Sequence, residues 1–131
     1  MEEIPEEELK TFQSDPYCRS LGITFESVKP GYARTRLEVE ERHVNFLGVL
    51  HGGAIFSLAD AAFSAAGNAG EESSVALEAN VSFLAPVSPG STVVAEANRT
   101  HSGGRTAEYE LVVSLENGDR VATLRGRAYR T

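Results

Sequence analysis

The sequence is short of cysteine and basic residues, and it has no tryptophan. Its single cysteine, Cys18, excludes an internal disulfide, and no Cys/His cluster has the spacing of a structural zinc site. The formal net charge of -7 disfavours nucleic acid as a partner, because phosphate binding needs a basic face. We therefore expect a protein of a reducing, cytoplasmic compartment that uses no metal and binds no nucleic acid.

Long hydrophobic runs are also missing. The most apolar stretch, residues 54–70, is interrupted by Ser57, Asp60 and Ser64, so it does not read as a membrane span. The start Met1-Glu2-Glu3 lacks the basic residues of a signal peptide. Hydrophobic residues make up 41% of the 131 residues, an ordinary globular composition. We expect a single domain over residues 1–131 without membrane contact.

Periodicity divides the chain into one short helix, one hairpin, one long helix and four further strands. The helices are predicted over residues 5–12 and 54–69, with Gly70 as the stop of the second. Strands are predicted over residues 21–28, 32–39, 75–84, 92–100, 106–115 and 120–130. The last four are joined by short turns at residues 86–90, 102–104 and 117–118, which predicts antiparallel pairing in sequence order. The expected fold is α+β, with one long central helix wrapped by a curved antiparallel sheet of about six strands.

A polar stripe follows the long predicted helix. Its members are separated by three, four and four residues, which places them on one helical face: Ser57, Asp60, Ser64 and Asn68. A solvated face is the alternative, but such a face usually carries Lys, Glu or Arg, and residues 54–70 contain none. A carboxylate among alanines is costly to bury without partners or a task. Asp60 is therefore the first catalytic candidate.

The segment His51-Gly52-Gly53 opens the same helix, where backbone N–H groups are unpaired and the dipole is positive. Glycine leaves these donors uncovered, which favours an oxyanion site, although a glycine pair more often marks only a turn. Gly52 and Asp60 lie about 12 Å apart along one helix, too far to act on the same carbonyl. We therefore predict an obligate dimer in which Gly52 of one chain meets Asp60 of the other.

A longer pattern contains both features. It reads Asn45-x-x-Gly48-x-x-His51-Gly52-Gly53, then Phe56-Ser57-Leu58-Ala59-Asp60 and, further on, Asn68. It resembles the hotdog-fold thioesterases, especially the phenylacetate-pathway branch, and the order of predicted elements is similar over nearly the whole chain.

The resemblance implies a role for each residue of the pattern. Asp60 would be the nucleophile or the general base toward water, and the Gly52 N–H would polarise the thioester carbonyl. Asn45 and His51 would hold the carbonyl or the water, and Ser64 would orient the carboxylate or the water. No cofactor is implied, because a thioester is a reactive acyl donor.

The implied substrate is an acyl- or aryl-coenzyme A thioester, hydrolysed to the carboxylic acid and free coenzyme A. Gly53 and Phe83 are expected to contact the substrate, although core packing explains Phe83 equally well. Arg105, in the turn at residues 102–106, is a candidate contact for the coenzyme A phosphates; a plain hairpin turn is the alternative. The family resemblance also favours a tetramer built as a dimer of dimers.

Two other functions stay open at this stage. A hotdog hydratase or dehydratase of hydroxyacyl thioesters also uses a histidine with a carboxylate, so His51 and Asp60 do not exclude it. A non-catalytic acyl-coenzyme A binding module is the second alternative, disfavoured by the presence of Asp60 and by the absence of a predicted second domain. The sequence does not distinguish aromatic from aliphatic acyl groups.

Overall fold

The computed structural model describes residues 2–131 and contains three α-helices and one six-stranded sheet. The helices are α1 (Glu6–Gln13), α2 (Pro16–Leu21) and α3 (Gly52–Asn68). The strands are β1 (Thr24–Lys29), β2 (Tyr32–Glu38), β3 (Ser74–Phe83), β4 (Thr92–Ser102), β5 (Thr106–Leu115) and β6 (Arg120–Arg130). The structure confirms the predicted α+β architecture, in which a long helix is held by an antiparallel sheet and a short helix lies at the N-terminus.

Helix α3 is the centre of the molecule, because it packs against all six strands. Its small side chains allow a close approach to the sheet, and Leu58, Ala62 and Ala66 are completely buried. On the sheet side the buried Thr35 donates its hydroxyl to the Leu58 carbonyl over 2.8 Å. Alanine-rich composition and the absence of proline made this helix predictable, and it begins two residues earlier than expected.

The strand order β1-β2-β4-β5-β6-β3 corrects one prediction. The short segment 86–90 is no hairpin turn, since β3 pairs with β6 at the far edge and β4 pairs with β2. The segment crosses the end of the sheet instead. Buried Val87 anchors it, and its carbonyl accepts a hydrogen bond from the Leu50 N–H over 2.8 Å. A short proline-containing link therefore looks like a turn in sequence but serves as a crossover.

A second correction concerns the start of the first hairpin. The predicted strand over residues 21–28 begins only at Thr24, because α2 occupies the residues before it. Asp15 caps this helix by accepting from the Cys18 N–H, Pro16 opens it, and Gly22 ends it in the left-handed region at φ 83°.

Strand β3 forms an open edge of the sheet. Its residues are exposed on both faces, and the apolar side chains of Val75 and Leu77 are 57% and 53% exposed. Open apolar edges are templates for pairing with another chain, which proteins usually protect. Within residues 2–131, no helix is long and apolar enough to cross a membrane.

Candidate active site

The N-terminus of α3 presents one free backbone donor. His51 is the N-cap residue, and its Nδ1 accepts the Gly53 N–H over 2.8 Å. This bond occupies the Gly53 donor and leaves only the Nε2 side of the His51 ring available for another group. The Gly52 N–H has no acceptor among residues 2–131. The helix dipole makes that position favourable for developing negative charge.

Phe83 covers Gly52 within the same chain. A Cβ at Gly52 would lie 3.2 Å from the Phe83 Cζ, so glycine allows the aromatic ring to approach the backbone closely. Asn45 lies beside them, and its Oδ1 braces its own turn by accepting from the Leu47 N–H over 2.9 Å. The Asn45 amide NH₂ makes no hydrogen bond within residues 2–131 and can therefore donate to another group. We call the open cavity of about 330 Å³ that contains these residues the donor cleft.

Asp60 lies eight residues further along α3, in a different cavity. This carboxylate cleft of about 230 Å³ is lined by Asp60, Ser64 and Asn68 from α3, and by residues at the start of β3. The Asp60 residue is exposed in the single chain, but partial burial of its carboxyl against α3 raises the pKa of that carboxyl, and the nearby Asp15 carboxylate adds to the rise. No hydrogen bond from residues 2–131 stabilises the Asp60 charge.

The other side chains of the polar stripe differ in whether their polar atoms already make hydrogen bonds within the chain. The Asn68 side chain is fully engaged, since its amide binds the Ser64 and Ser74 carbonyls and the Ser74 N–H. It therefore ties the end of α3 to β3. Ser57 donates its hydroxyl to the Gly53 carbonyl over 2.8 Å. Ser64 faces the carboxylate cleft one turn from Asp60 and makes no side-chain hydrogen bond within residues 2–131.

Arg105 lies apart from both clefts, in the exposed turn between β4 and β5, where its Nη1 donates to the Tyr129 hydroxyl over 2.9 Å. The turn is at the same end of the sheet as the start of β3, since Thr106 pairs with Tyr129 and Ser74 with Arg130. Arg99, a weaker candidate for the same role, is committed to an ion pair with Glu72.

Sequence reasoning missed the contribution of α2. The Tyr17 hydroxyl lies 3.0 Å from the Ser57 Oγ and joins α2 to α3 one turn before Asp60. The Asp15-Pro16 pair, a cap residue followed by proline, was a usable signal for this helix. Helix α2, α1 and α3 together enclose an aromatic cleft of about 300 Å³, whose lining includes Phe12, Tyr17, Phe56 and Asp60.

The polar connector between the first hairpin and the long helix predicts a surface position for His43, but this residue is buried, with 3% of its area exposed. Its Nδ1 accepts from the Glu40 N–H over 2.9 Å, and its Nε2 lies 2.7 Å from the Leu21 carbonyl. Its own carbonyl accepts from the His51 N–H over 2.8 Å. His43 therefore connects the end of α2 to the residue that caps α3.

The donor cleft and the carboxylate cleft contain different chemical groups, and each contains groups that the other lacks. The donor cleft has the Gly52 N–H and the Asn45 amide but no carboxylate in its lining, and the carboxylate cleft has Asp60 but no helix N-terminus. One helix separates Gly52 and Asp60 by about 12 Å. Within residues 2–131 no group of three or more His, Cys, Asp or Glu side chains could hold a metal ion. The arrangement suits acyl transfer to water by a carboxylate and an oxyanion donor.

Comparison with known proteins identifies the family. Residues 47–122 match the model of the Thioesterase superfamily. The chain is 33% identical to the acyl-coenzyme A thioesterase PaaI of Escherichia coli, over 91% of this chain and 85% of that protein. It is also 33% identical to a putative esterase of Archaeoglobus fulgidus, over 91% of this chain and 77% of the other.

The solved structure of the E. coli PaaI protein superimposes with a TM-score of 0.88 at 32% identity, covering 93% of this chain and 88% of that one. The family match includes the opening of α3, Asp60 and Asn68, which belong to the pattern that carries the resemblance, whereas Asn45 lies just before the matched residues. The prediction of a thioester hydrolase is thereby confirmed at the level of the family. The chain belongs to the thioesterase superfamily and has its hotdog fold.

Proposed function

We propose that this protein hydrolyses acyl- or aryl-coenzyme A thioesters, with Asp60 as nucleophile or general base and the Gly52 N–H as oxyanion donor. The observation that carries the proposal is the unpartnered Asp60 carboxylate on the polar stripe of an otherwise apolar helix. The similarity to an acyl-coenzyme A thioesterase supports the substrate class.

In the general-base route, Asp60 takes a proton from water while the water oxygen attacks the thioester carbonyl carbon. The carbonyl oxygen becomes an oxyanion that accepts from the Gly52 N–H and from the Asn45 amide, both free in the donor cleft. Collapse of the intermediate breaks the C–S bond, and the departing thiolate receives the proton. In the nucleophilic route, an Asp60 carboxylate oxygen attacks the carbonyl carbon, the C–S bond breaks and coenzyme A leaves as the thiolate. Water then hydrolyses the mixed anhydride, which releases the carboxylic acid and regenerates the Asp60 carboxylate, and the thiolate takes up a proton from the water.

His51 and Ser64 have supporting roles in this proposal. The Nδ1 of His51 is committed to the helix cap, so only its Nε2 can contact the carbonyl or the water. The Ser64 hydroxyl, one turn beyond Asp60, orients the carboxylate or the water. Phe83 lines the donor cleft against which the thioester lies, whereas Gly53 lies outside that lining and supports the site by donating its N–H to the His51 ring. A raised pKa makes the Asp60 carboxylate a better base than an ordinary aspartate.

Both routes need the clefts of two chains, so the active unit is an obligate homodimer. Strand β3 supports this arrangement, because its open edge and exposed Val75 and Leu77 provide a self-complementary surface next to Asp60. A two-fold axis beside β3 would bring each donor cleft to the partner's carboxylate cleft. The tetramer implied by the family resemblance stays a prediction, which light scattering tests.

A thiol-release assay with a panel of acyl-coenzyme A substrates tests the function. Asp60→Asn keeps the shape of the side chain but removes its charge, and we expect a loss of activity of at least about a hundredfold. Asp119→Asn, in the turn between β5 and β6, is the matched control and should retain wild-type activity. Retention of most activity by Asp60→Asn would contradict the mechanism.

The thiol-release assay, run beside a crotonyl-coenzyme A hydration assay and an acyl-coenzyme A binding measurement, separates the remaining alternatives. Hydration of crotonyl-coenzyme A without thiol release would identify a hydratase. Binding of acyl-coenzyme A without turnover would identify a binding module. The proposal requires release of free coenzyme A thiol together with the carboxylic acid.

A further inference from the structure

The aromatic cleft is a cavity that the proposed mechanism leaves unused, although it borders the proposed catalytic carboxylate. It lies between the N-terminal helices and α3, and Asp60 and Ser64 form part of its wall. The carboxylate cleft borders Asp60 on the side of β3, the edge at which we place the second chain. The aromatic cleft is built by one chain alone. A group bonded to the reacting carbonyl carbon at Asp60 can therefore extend into it.

The lining of this cleft is suited to an apolar group. Phe12, Phe25 and Phe56 contribute aromatic surface, while Ala61 and Ala65 leave space along α3. Its volume is about 300 Å³. A dry cavity of about 150 Å³ is enough to bind benzene, so this cleft admits a single ring or a chain of similar size. A long fatty-acyl chain exceeds it.

Tyr17 limits the extent of the cleft. Its ring lines the cavity, and its hydroxyl is held at 3.0 Å from the Ser57 Oγ, which itself donates to the Gly53 carbonyl. The side chain thus bridges α2 and α3. Because Tyr17 is 62% exposed, its removal should lengthen the cleft along α3 with little effect on the core.

Asp15 adds a charge to the same cavity. Its carboxylate caps α2 at the Cys18 N–H over 3.0 Å, and it lines the cleft together with Asp60. Two carboxylates around one small cavity repel a third.

From this geometry, and resting on the proposed function, we infer that the aromatic cleft is the acyl subsite. It accepts small uncharged acyl groups, with Tyr17 setting their length and Asp15 rejecting acyl groups that carry a carboxylate.

The length rule is tested by comparing kcat/KM for butyryl- and decanoyl-coenzyme A in wild type and Tyr17→Ala. We expect wild type to prefer butyryl. Tyr17→Ala should raise the decanoyl-to-butyryl ratio by about tenfold, the worth of burying about two further methylene groups. Tyr32→Ala, which removes the same side chain from β2, is the matched control and should leave the ratio unchanged.

A substitution that fills the aromatic cleft should lower the preference for longer acyl groups, which is the opposite of the change expected for Tyr17→Ala. Ala61→Leu adds volume from the α3 side, so the hexanoyl-to-acetyl ratio should fall. Each ratio is measured on one preparation, so a partly folded variant changes both rates equally and does not alter it.

The charge rule is tested with succinyl- and butyryl-coenzyme A, whose acyl chains have equal length. Asparagine caps a helix as well as aspartate does, so Asp15→Asn should preserve α2. It should lower the preference for butyryl over succinyl by about fivefold or more.

Unchanged length ratios in both Tyr17→Ala and Ala61→Leu, in an enzyme that turns over these substrates, would overturn the assignment of the subsite. An unchanged preference for butyryl in Asp15→Asn would overturn the role of Asp15. Absence of thiol release from every substrate by wild type would instead overturn the proposed function itself.

Discussion

The donor cleft and the carboxylate cleft lie on one helix but differ in every chemical respect. The first contains the free Gly52 N–H and the free Asn45 amide at the positive end of α3. The second contains Asp60 in the middle of the helix, where burial and a neighbouring carboxylate raise its pKa. Each cleft by itself lacks half of the machinery that the proposed function needs. The proposal therefore joins the donor cleft of one chain to the carboxylate cleft of another.

The largest effect on the donor cleft should come from Gly52→Pro. Gly52 is the first residue of α3, where proline is favoured, and His51 has the extended conformation that proline requires before it. The substitution removes the N–H while keeping a favourable start of the helix, and we expect kcat to fall about a hundred- to a thousandfold. Gly52→Ala creates the same contact with Phe83 but keeps the donor, so it isolates the steric contribution. Equal losses in both variants would show that the N–H has no catalytic role.

Mixing two inactive variants tests whether the clefts act across chains. A mixed dimer of Gly52→Pro and Asp60→Asn chains contains one intact site and one doubly defective site. Random re-association should therefore restore about a quarter of wild-type activity. Thioesterase activity is measured after the two variants are refolded together, and each variant refolded alone is the control. No recovery would mean that both residues serve the same chain.

Asn45→Asp removes the amide donor from the donor cleft while preserving its fold. The aspartate oxygen can still accept from the Leu47 N–H and keep the turn closed. Loss of one oxyanion donor should lower kcat by about a hundredfold, whereas thermal stability should change little. A large drop in melting temperature would point to a structural role for Asn45 instead.

The pH profile examines the carboxylate cleft. Activity requires the charged form of Asp60, so kcat/KM should fall as pH decreases through its raised pKa. Asp15→Asn removes the smaller of the two causes of that rise, and burial remains. The pH at which kcat/KM falls on the acid side should therefore decrease, but it should stay above the pKa of an ordinary aspartate. An acid-side pKa of kcat/KM that is the same in Asp15→Asn and wild type would indicate that the Asp15 charge does not affect the pKa of Asp60.

The smallest effect is expected at Arg105, outside both clefts. This exposed side chain can contribute only a screened attraction to a coenzyme A phosphate, so Arg105→Ala should raise KM about two- to fivefold without changing kcat. The increase should shrink at high salt. An unchanged KM at low ionic strength would remove Arg105 from the coenzyme A site.

Much of this arrangement could be predicted from local sequence, and the exceptions share a physical cause. Helix α3 was predictable because its composition and its glycine start are local signals, and Asp60 stood out against its alanine neighbours. The position of β3 was not, because its pairing with β6 joins residues far apart in the chain. His43 was misplaced for the same reason, since its burial depends on the distant Leu21 carbonyl.

Helix α2 is a different kind of error. Its cap and its proline are local signals, but six residues are too few to show a helical period, and the alternation that follows extended the predicted strand over its end. The sequence also could not predict which backbone N–H group at the start of α3 is left without a hydrogen bond. The Gly52 and Gly53 N–H groups differ only because the His51 ring turns toward one of them.

The open edge of β3 has a consequence for how the enzyme would be measured. If completing the site requires a second chain at that edge, the fraction of competent enzyme follows mass action in the protein's own concentration. Specific activity would then decline on dilution and recover on reconcentration, and added substrate, by bridging two chains, would oppose the decline. Two laboratories assaying the same preparation at different enzyme concentrations would then report different turnover numbers, each correct for its own dilution.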